Sequence, residues 1–190
     1  MLILVRHANT QPDPNMPDRA WPLTAEGMRR CYLLAQQIAG LGVDVIYASC
    51  YGKAVQTGEV LSAELNLPQP TQLCAFNEHD RSTNAPFFTD RQDFERAVKN
   101  FFAHPTRLSY GAETAQTMLA RFQAGIVSVT KKHPDQTLLI VSHGTSMAAY
   151  LAYINGTDPF AMWQKIQQAG MPAYAQISLP AYKLIEFSPL

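Results

Sequence analysis

Two short apolar runs far apart in the chain end alike: Leu2-Ile3-Leu4-Val5-Arg6-His7-Ala8 and Leu138-Leu139-Ile140-Val141-Ser142-His143-Gly144. Neither run alternates with polar residues, which is the pattern of a strand covered on both faces, as in the middle of a parallel sheet. Ligands of open α/β sheets bind beyond the carboxyl ends of the strands. Two such strands, each ending in a histidine, therefore point to one site at one edge of one sheet. No longer internal repeat accompanies them, so the likeness reflects a shared destination rather than a duplication.

The rest of the chain supplies helices for such a sheet. Residues 8–22 hold four prolines and read as a long loop, a kind of segment that is usually functional in a compact domain. Thr24 is a good N-cap for a helix over about 25–39, with Met28, Cys31, Leu34, Ala35 and Ile38 at helical spacing. A strand over 43–48 and a helix over about 52–65 follow, then a short strand near 73–76 leading into the polar cluster Asn77-Glu78-His79-Asp80-Arg81. Helices are expected over 90–103, from Gly111-Ala112-Glu113-Thr114 to Lys131-Lys132, over 142–154 and over 158–168. The Phe94, Val98, Phe101, Phe102 stripe reads as core. Residues 173–179 and 182–187 alternate as two strands joined around Pro180, giving the sheet an antiparallel edge. The expected fold is a three-layer α/β/α sandwich with a largely parallel central sheet, formed by residues 1–190 as a single domain.

Composition narrows the function. At 190 residues and 47% hydrophobic, the chain can bury a sizeable core. Its 15 basic residues balance its 15 acidic ones, which gives no support to nucleic-acid binding. No run approaches the ~18 apolar residues of a membrane span, and no basic stretch precedes the first apolar run, so the expectation is a cytoplasmic protein with no membrane partner. Cys31, Cys50 and Cys74 form neither a zinc pattern nor a disulfide framework and read as reduced thiols. No metal or cofactor is called for. The oligomeric state is not legible.

The strand ends bring together Arg6, His7, Ser49, Lys53, Glu78, His79 and His143: cations, histidines and a carboxylic acid. A helix after His143 would aim its N–H groups at the same place. Such a set suits an anion such as a phosphate group. One histidine at a strand end is ordinarily structural, and a glutamate in a polar loop is ordinarily solvated. Two histidines at matching ends, one preceded by arginine, shift the balance to function.

These residues resemble the histidine phosphatase superfamily, the phosphoglycerate-mutase-like enzymes. Arg6-His7-Ala8 resembles the Arg-His-Gly signature, and Pro22-Leu23-Thr24-Ala25-Glu26-Gly27 its Pro-Leu-Thr-x-x-Gly helix start. Ser49 through Lys53-Ala54-Val55-Gln56-Thr57 resembles Ser-x-x-x-Arg-Ala-x-Gln-Thr. Phe76-Asn77-Glu78, Gly111-Ala112-Glu113-Thr114 and Val141-Ser142-His143-Gly144 resemble the acid-bearing, Gly-x-Glu-Ser/Thr and second-histidine segments, in family order. The resemblance implies hydrolysis of a small phosphomonoester without metal. His7 would form a phosphohistidine, Glu78 would serve as proton donor, and Arg6, Lys53 and His143 would bind phosphate.

The chain departs from the family at two places. Lys53 stands where the family has an arginine, and a lysine lacks the planar two-pronged donor of guanidinium. A partly lost interaction of ~1.5–3 kcal/mol corresponds to about one to two powers of ten in rate. The family often has an asparagine where Asp13 stands, with Asn15 nearby. Alternatives to a small-substrate phosphatase are a mutase-type phosphotransferase, a phosphatase of protein side chains with an open pocket, and a phospho-ligand binding module weakened in catalysis by Lys53. The 11–22 loop and Phe87-Phe88 are expected to be lids or rims.

Overall fold

The structure, a computed structural model, describes residues 1–83 and 85–190. In chain order it contains β1 (Leu2–Arg6), α1 (Ala25–Ile38), β2 (Val45–Ala48), α2 (Gly52–Glu64), β3 (Thr71–Gln72), α3 (Arg91–Ala103), α4 (Ala115–Lys132), β4 (Leu138–Ser142), α5 (Gly144–Asn155), α6 (Pro159–Ala169), β5 (Ala173–Ser178) and β6 (Lys183–Pro189). The six strands lie in the order β3-β2-β4-β1-β5-β6. The first four are parallel, while β5 runs antiparallel to β1 and β6 antiparallel to β5. The expected antiparallel edge is therefore a two-stranded flank.

The faces of β1 explain its continuous apolar run. Ile3 and Val5 pack with Leu34 and Ile38 of α1 and Leu61 of α2 on one side. Leu2 and Leu4 pack with Met118, Phe122 and Ile126 of α4, Leu151 of α5 and Ile166 of α6 on the other. Each such side chain, fully withdrawn from water, contributes about 1.5–3 kcal/mol, so a polar residue at positions 2–5 would be excluded on either face. This is the three-layer sandwich the sequence implies. No helix among the described residues is long and apolar enough to cross a membrane.

The register of β1 against β4 sets the site. Arg6 pairs with Ser142, so His7 and His143, the next residues, leave the sheet side by side. The His7 N–H extends the ladder by one bond, to the Ser142 carbonyl at 3.0 Å.

Two expectations fail near β3. The strand is only Thr71–Gln72, and the apolar residues expected in a strand over 73–76 form a 3-10 turn at Cys74–Phe76. Cys50 and Cys74 are not free thiols but a disulfide. The register accounts for it: Ala48 pairs with Gln72, so residues two places beyond each arrive together. Sequence spacing alone carries no trace of that neighbourhood. Only Cys31 is free, and burial pushes its thiol up to about 11. The bridge spans 24 residues, which corresponds to roughly 3 kcal/mol of loop-closure stabilisation. Thermal unfolding with and without reductant should differ by about 6–12 °C. Equal melting temperatures for the reduced and oxidised protein would show that the bond does not contribute.

Candidate active site

The motifs around His7 are a scaffold of close approaches. Thr24 caps α1 by accepting the Gly27 N–H at 2.9 Å, and its own N–H is held by the Asn9 carbonyl at 2.9 Å. Gly27 lies so near Asn9 that a Cβ there would collide with the Asn9 carbonyl oxygen. Thr57 of α2 accepts the Ala8 N–H at 3.1 Å, and Gln56 accepts the Leu23 N–H at 2.9 Å. Helices α1 and α2 thus hold both ends of the stretch that follows His7.

His7 is 8% exposed and its Nδ1 lies 2.8 Å from the Ala8 carbonyl oxygen. A carbonyl only accepts, so Nδ1 carries the proton and Nε2 keeps its lone pair. Burial, then Lys53, then Arg6 hold the imidazole well below its ordinary range, so it is neutral at neutral pH. The His143 ring lies 5.0 Å away, centroid to centroid. Burial, with His7 and Lys53 next, lowers His143 in the same way. Ser49 Oγ sits 2.6 Å from His143 Nε2 and also accepts the Tyr51 N–H. The Ser49 hydroxyl can donate to Nε2, the arrangement in which the His143 proton resides on Nδ1, a buried nitrogen without a partner.

Arg6 is anchored from the far end of the chain. Its Nη1 donates to the Ile166 and Gly170 carbonyls at 3.1 Å each, and its Nη2 to Gln167 Oε1 at 2.9 Å. These groups close the C-terminus of α6, where carbonyls lack helical partners and the dipole favours a cation. Arg6 Nε is buried and unpartnered. Desolvation lowers Arg6 to about 10, still a cation at neutral pH.

Glu78 occupies the N-terminus of α5. Oε2 accepts the Thr145 N–H at 3.0 Å, and Oε1 accepts those of Ser146 at 3.0 Å and His79 at 2.9 Å. The expected N–H groups do converge here, but on the protein's own carboxylate. The Gly111-Ala112-Glu113-Thr114 motif supports this segment. Glu113 pairs with Arg121 at 2.7 Å and accepts the Asp80 N–H at 3.0 Å. Arg121 then donates to the carbonyls of Ala75, Asn77 and Glu78. Gly111 has φ +77, and a Cβ there would strike the Asp80 carbonyl and the His79 ring. Thr114 caps α4 in a reciprocal pair with Thr117.

The structure brings Arg6, His7, Ser49, Lys53, Glu78 and His143 to one edge but removes His79. Its ring is 1% exposed and packs 4.1 Å from Phe101 and 4.6 Å from Tyr110, in the core. Asp13 and Asn15 close on each other, with Asp13 Oδ1 accepting the Asn15 N–H at 2.8 Å on an exposed turn. Lys53 is held by the 11–22 loop: Nζ donates to the Asp18 carbonyl at 3.0 Å and lies 5.1 Å from the Trp21 ring centre. Burial lowers Lys53 to about 8, against the opposing pull of Asp18. Arg81 also belongs here: its charge acts on His7, Lys53 and His143. Its position three residues after Glu78 is the only sequence signal. Beside these groups lies a cavity of about 620 Å³, walled by Trp21, Tyr51, Arg81, Phe87, Phe88 and Phe94. Phe87 and Phe88 are rims, as expected, while Phe94 also faces the cavity rather than only the core.

A fold of this topology, with two histidines at the ends of adjacent parallel strands, is that of the phosphoglycerate-mutase-like phosphatases. The chain matches the histidine phosphatase superfamily (branch 1) over residues 2–178, and it belongs to that family. It is 27% identical over 161 residues to the uncharacterized phosphatase PhoE of Bacillus subtilis, covering 82% of this chain and 78% of that protein. Phosphoserine phosphatase 1 of Hydrogenobacter thermophilus is 27% identical over 176 residues, covering 85% and 79%. Among solved structures, phosphoserine phosphatase from Entamoeba histolytica in complex with 3-phosphoglyceric acid superposes with a TM-score of 0.75 at 19% identity, over 100% of this chain and 96% of that one.

Proposed function

We propose that the protein hydrolyses a small phosphomonoester through a phosphohistidine on His7. The observation that carries this is the state of His7: a neutral imidazole whose Nδ1 proton is tied to Ala8, leaving the Nε2 lone pair free beside His143. Nε2 attacks phosphorus in line, and the bond from phosphorus to the ester oxygen breaks. That oxygen leaves as an alcohol with a proton from Glu78. Water then attacks the phosphohistidine, Glu78 takes its proton, and inorganic phosphate departs as the phosphorus–nitrogen bond breaks.

Arg6 Nε and His143 Nδ1, buried without partners, and the Lys53 ammonium are the donors for the phosphoryl oxygens. The relatives named for phosphatase activity support hydrolysis. Disulfides persist in oxidising compartments and are rare in the cytosol, so the Cys50–Cys74 bond weighs against the cytoplasmic location expected from the sequence.

The test is phosphate release from a panel that includes O-phosphoserine, 3-phosphoglycerate and p-nitrophenyl phosphate. Release from none of them, with inorganic phosphate still bound, would replace the hydrolase by a binding module.

Lys53 sets the alkaline limit of this activity. It is a cation below about 8 and neutral above it. The kcat/KM of the wild type should therefore decline above about pH 8, because the free enzyme loses a charge that meets the phosphate. Arginine does not deprotonate in this range, so Lys53→Arg should hold the plateau to higher pH. Identical alkaline limbs in the two proteins would remove Lys53 from phosphate binding.

A further inference from the structure

Lys53 and Arg81 share one carboxylate. Asp18 Oδ2 lies 2.5 Å from Arg81 Nη2 and 3.8 Å from Lys53 Nζ. Arg6, by contrast, is held by carbonyls and an amide, all neutral groups. An acidic side chain at the mouth of a phosphate site cancels part of the field that attracts the substrate, so its presence there needs a reason. Its mounting lies outside the core. Asp18 begins a one-turn 3-10 helix, Asp18–Ala20, none of whose residues is buried. The same loop reaches the opposite rim through Trp21, whose ring lies 6.1 Å from that of Phe87.

We propose that Lys53 and Arg81 form an oxyanion subsite which Asp18 fills in the free protein, and that a phosphate or carboxylate group of the substrate displaces Asp18 when it binds. The inference rests on reading the cleft as a phosphohydrolase site. A carboxylate already bridges the two cations, which shows that the space between them fits oxyanion oxygens. Guanidinium binds carboxylate and phosphate in the same planar, two-pronged way. Arg81 Nε is buried with no partner, so the fork keeps a donor that Asp18 does not use. Arg81 thereby supplies, from the segment after Glu78, the guanidinium that position 53 lacks. Its charge also helps keep His7 and His143 neutral, which places it within electrostatic reach of the reacting atoms. The internal anion lowers apparent affinity by the fraction of protein in which the subsite is free.

The oxyanion is either the transferring phosphoryl group or a carboxylate on the leaving portion, and one set of measurements separates them. Vanadate affinity is measured by calorimetry for the wild type, Asp18→Asn, Arg81→Gln and Arg81→Lys. The KM values of O-phosphoserine and O-phosphoethanolamine, which differ by a carboxylate, are measured on the same proteins. Removal of the internal competitor should tighten binding about tenfold in Asp18→Asn, and Arg81→Gln should weaken it by a similar factor, with Arg81→Lys between. Changes in vanadate affinity assign the subsite to the transferring group. Changes confined to phosphoserine assign it to a substrate carboxylate. If Asp18→Asn tightens neither, the inference is overturned, and Asp18 is only a structural partner of the two cations. The Asp18→Asn result stands whether or not Arg81→Gln folds. Vanadate binding needs no turnover, so a protein that binds vanadate and hydrolyses nothing would sink the hydrolase reading and leave the subsite to be judged on the vanadate data.

Discussion

His7→Ala is expected to abolish turnover while the pocket still binds phosphate. The substitution removes the nucleophile but none of the groups proposed to hold the anion: Arg6 stays anchored on the last carbonyls of α6, and Ser49 still orients His143. Losses of about 10⁴-fold or more in kcat are usual when a covalent nucleophile is deleted. The affinity for inorganic phosphate should change by only a few-fold, because a neutral imidazole contributes no charge to the site. The pH profile offers a second check. Since burial and the neighbouring cations hold His7 well below its ordinary range, the nucleophile remains unprotonated through pH 6.5, and its acid limb belongs at lower pH. Residual turnover in His7→Ala close to that of the wild type would end the phosphohistidine mechanism, whatever the affinity for phosphate.

What the sequence discloses about this site follows from how local each determinant is. The strands β1 and β4 are legible because burial on both faces writes itself as an uninterrupted apolar run. The histidines are legible because they terminate those runs. Gly27 and Gly111 are visible as motif residues, but their reason, a carbonyl oxygen where a Cβ would sit, is a contact across the fold. Three determinants are wholly non-local. The Arg6 anchor lies on Ile166 and Gly170, the disulfide depends on the register of β2 with β3, and the Asp18 bridge depends on the path of a proline-rich loop. His79 shows the converse failure. As a polar neighbour of Glu78 it is expected beside it at the strand end, yet adjacent residues on an extended chain point to opposite sides, and the His79 ring lies in the aromatic core.

Glu78→Gln should lower kcat by about 10²–10⁴-fold for esters of ordinary alcohols, the range typical of a lost general acid. A carboxylate offers roughly four lone-pair positions, and the α5 N-terminus with the His79 N–H occupies three of them. Oε1 accepts two bonds and Oε2 one, so Oε2 is the oxygen with room for the transferable proton. The same count shows that glutamine is not a silent replacement. Its amide nitrogen cannot accept, so at least one backbone N–H loses its partner, at a cost of about 1–3 kcal/mol. Stability and activity would then fall together, and a simple helix cap would produce both effects. The leaving group separates the two causes. Nitrophenolate departs without a proton, so a variant deprived of its acid should recover most of the rate of its phosphorylation step on p-nitrophenyl phosphate, read as the nitrophenolate burst, relative to phosphoserine; the later attack of water, for which Glu78 is the base, is common to both. A distorted pocket would slow both substrates alike. Equal losses in the phosphorylation step of the two, with reduced thermal stability, would leave Glu78 as the cap of α5 and require another proton donor.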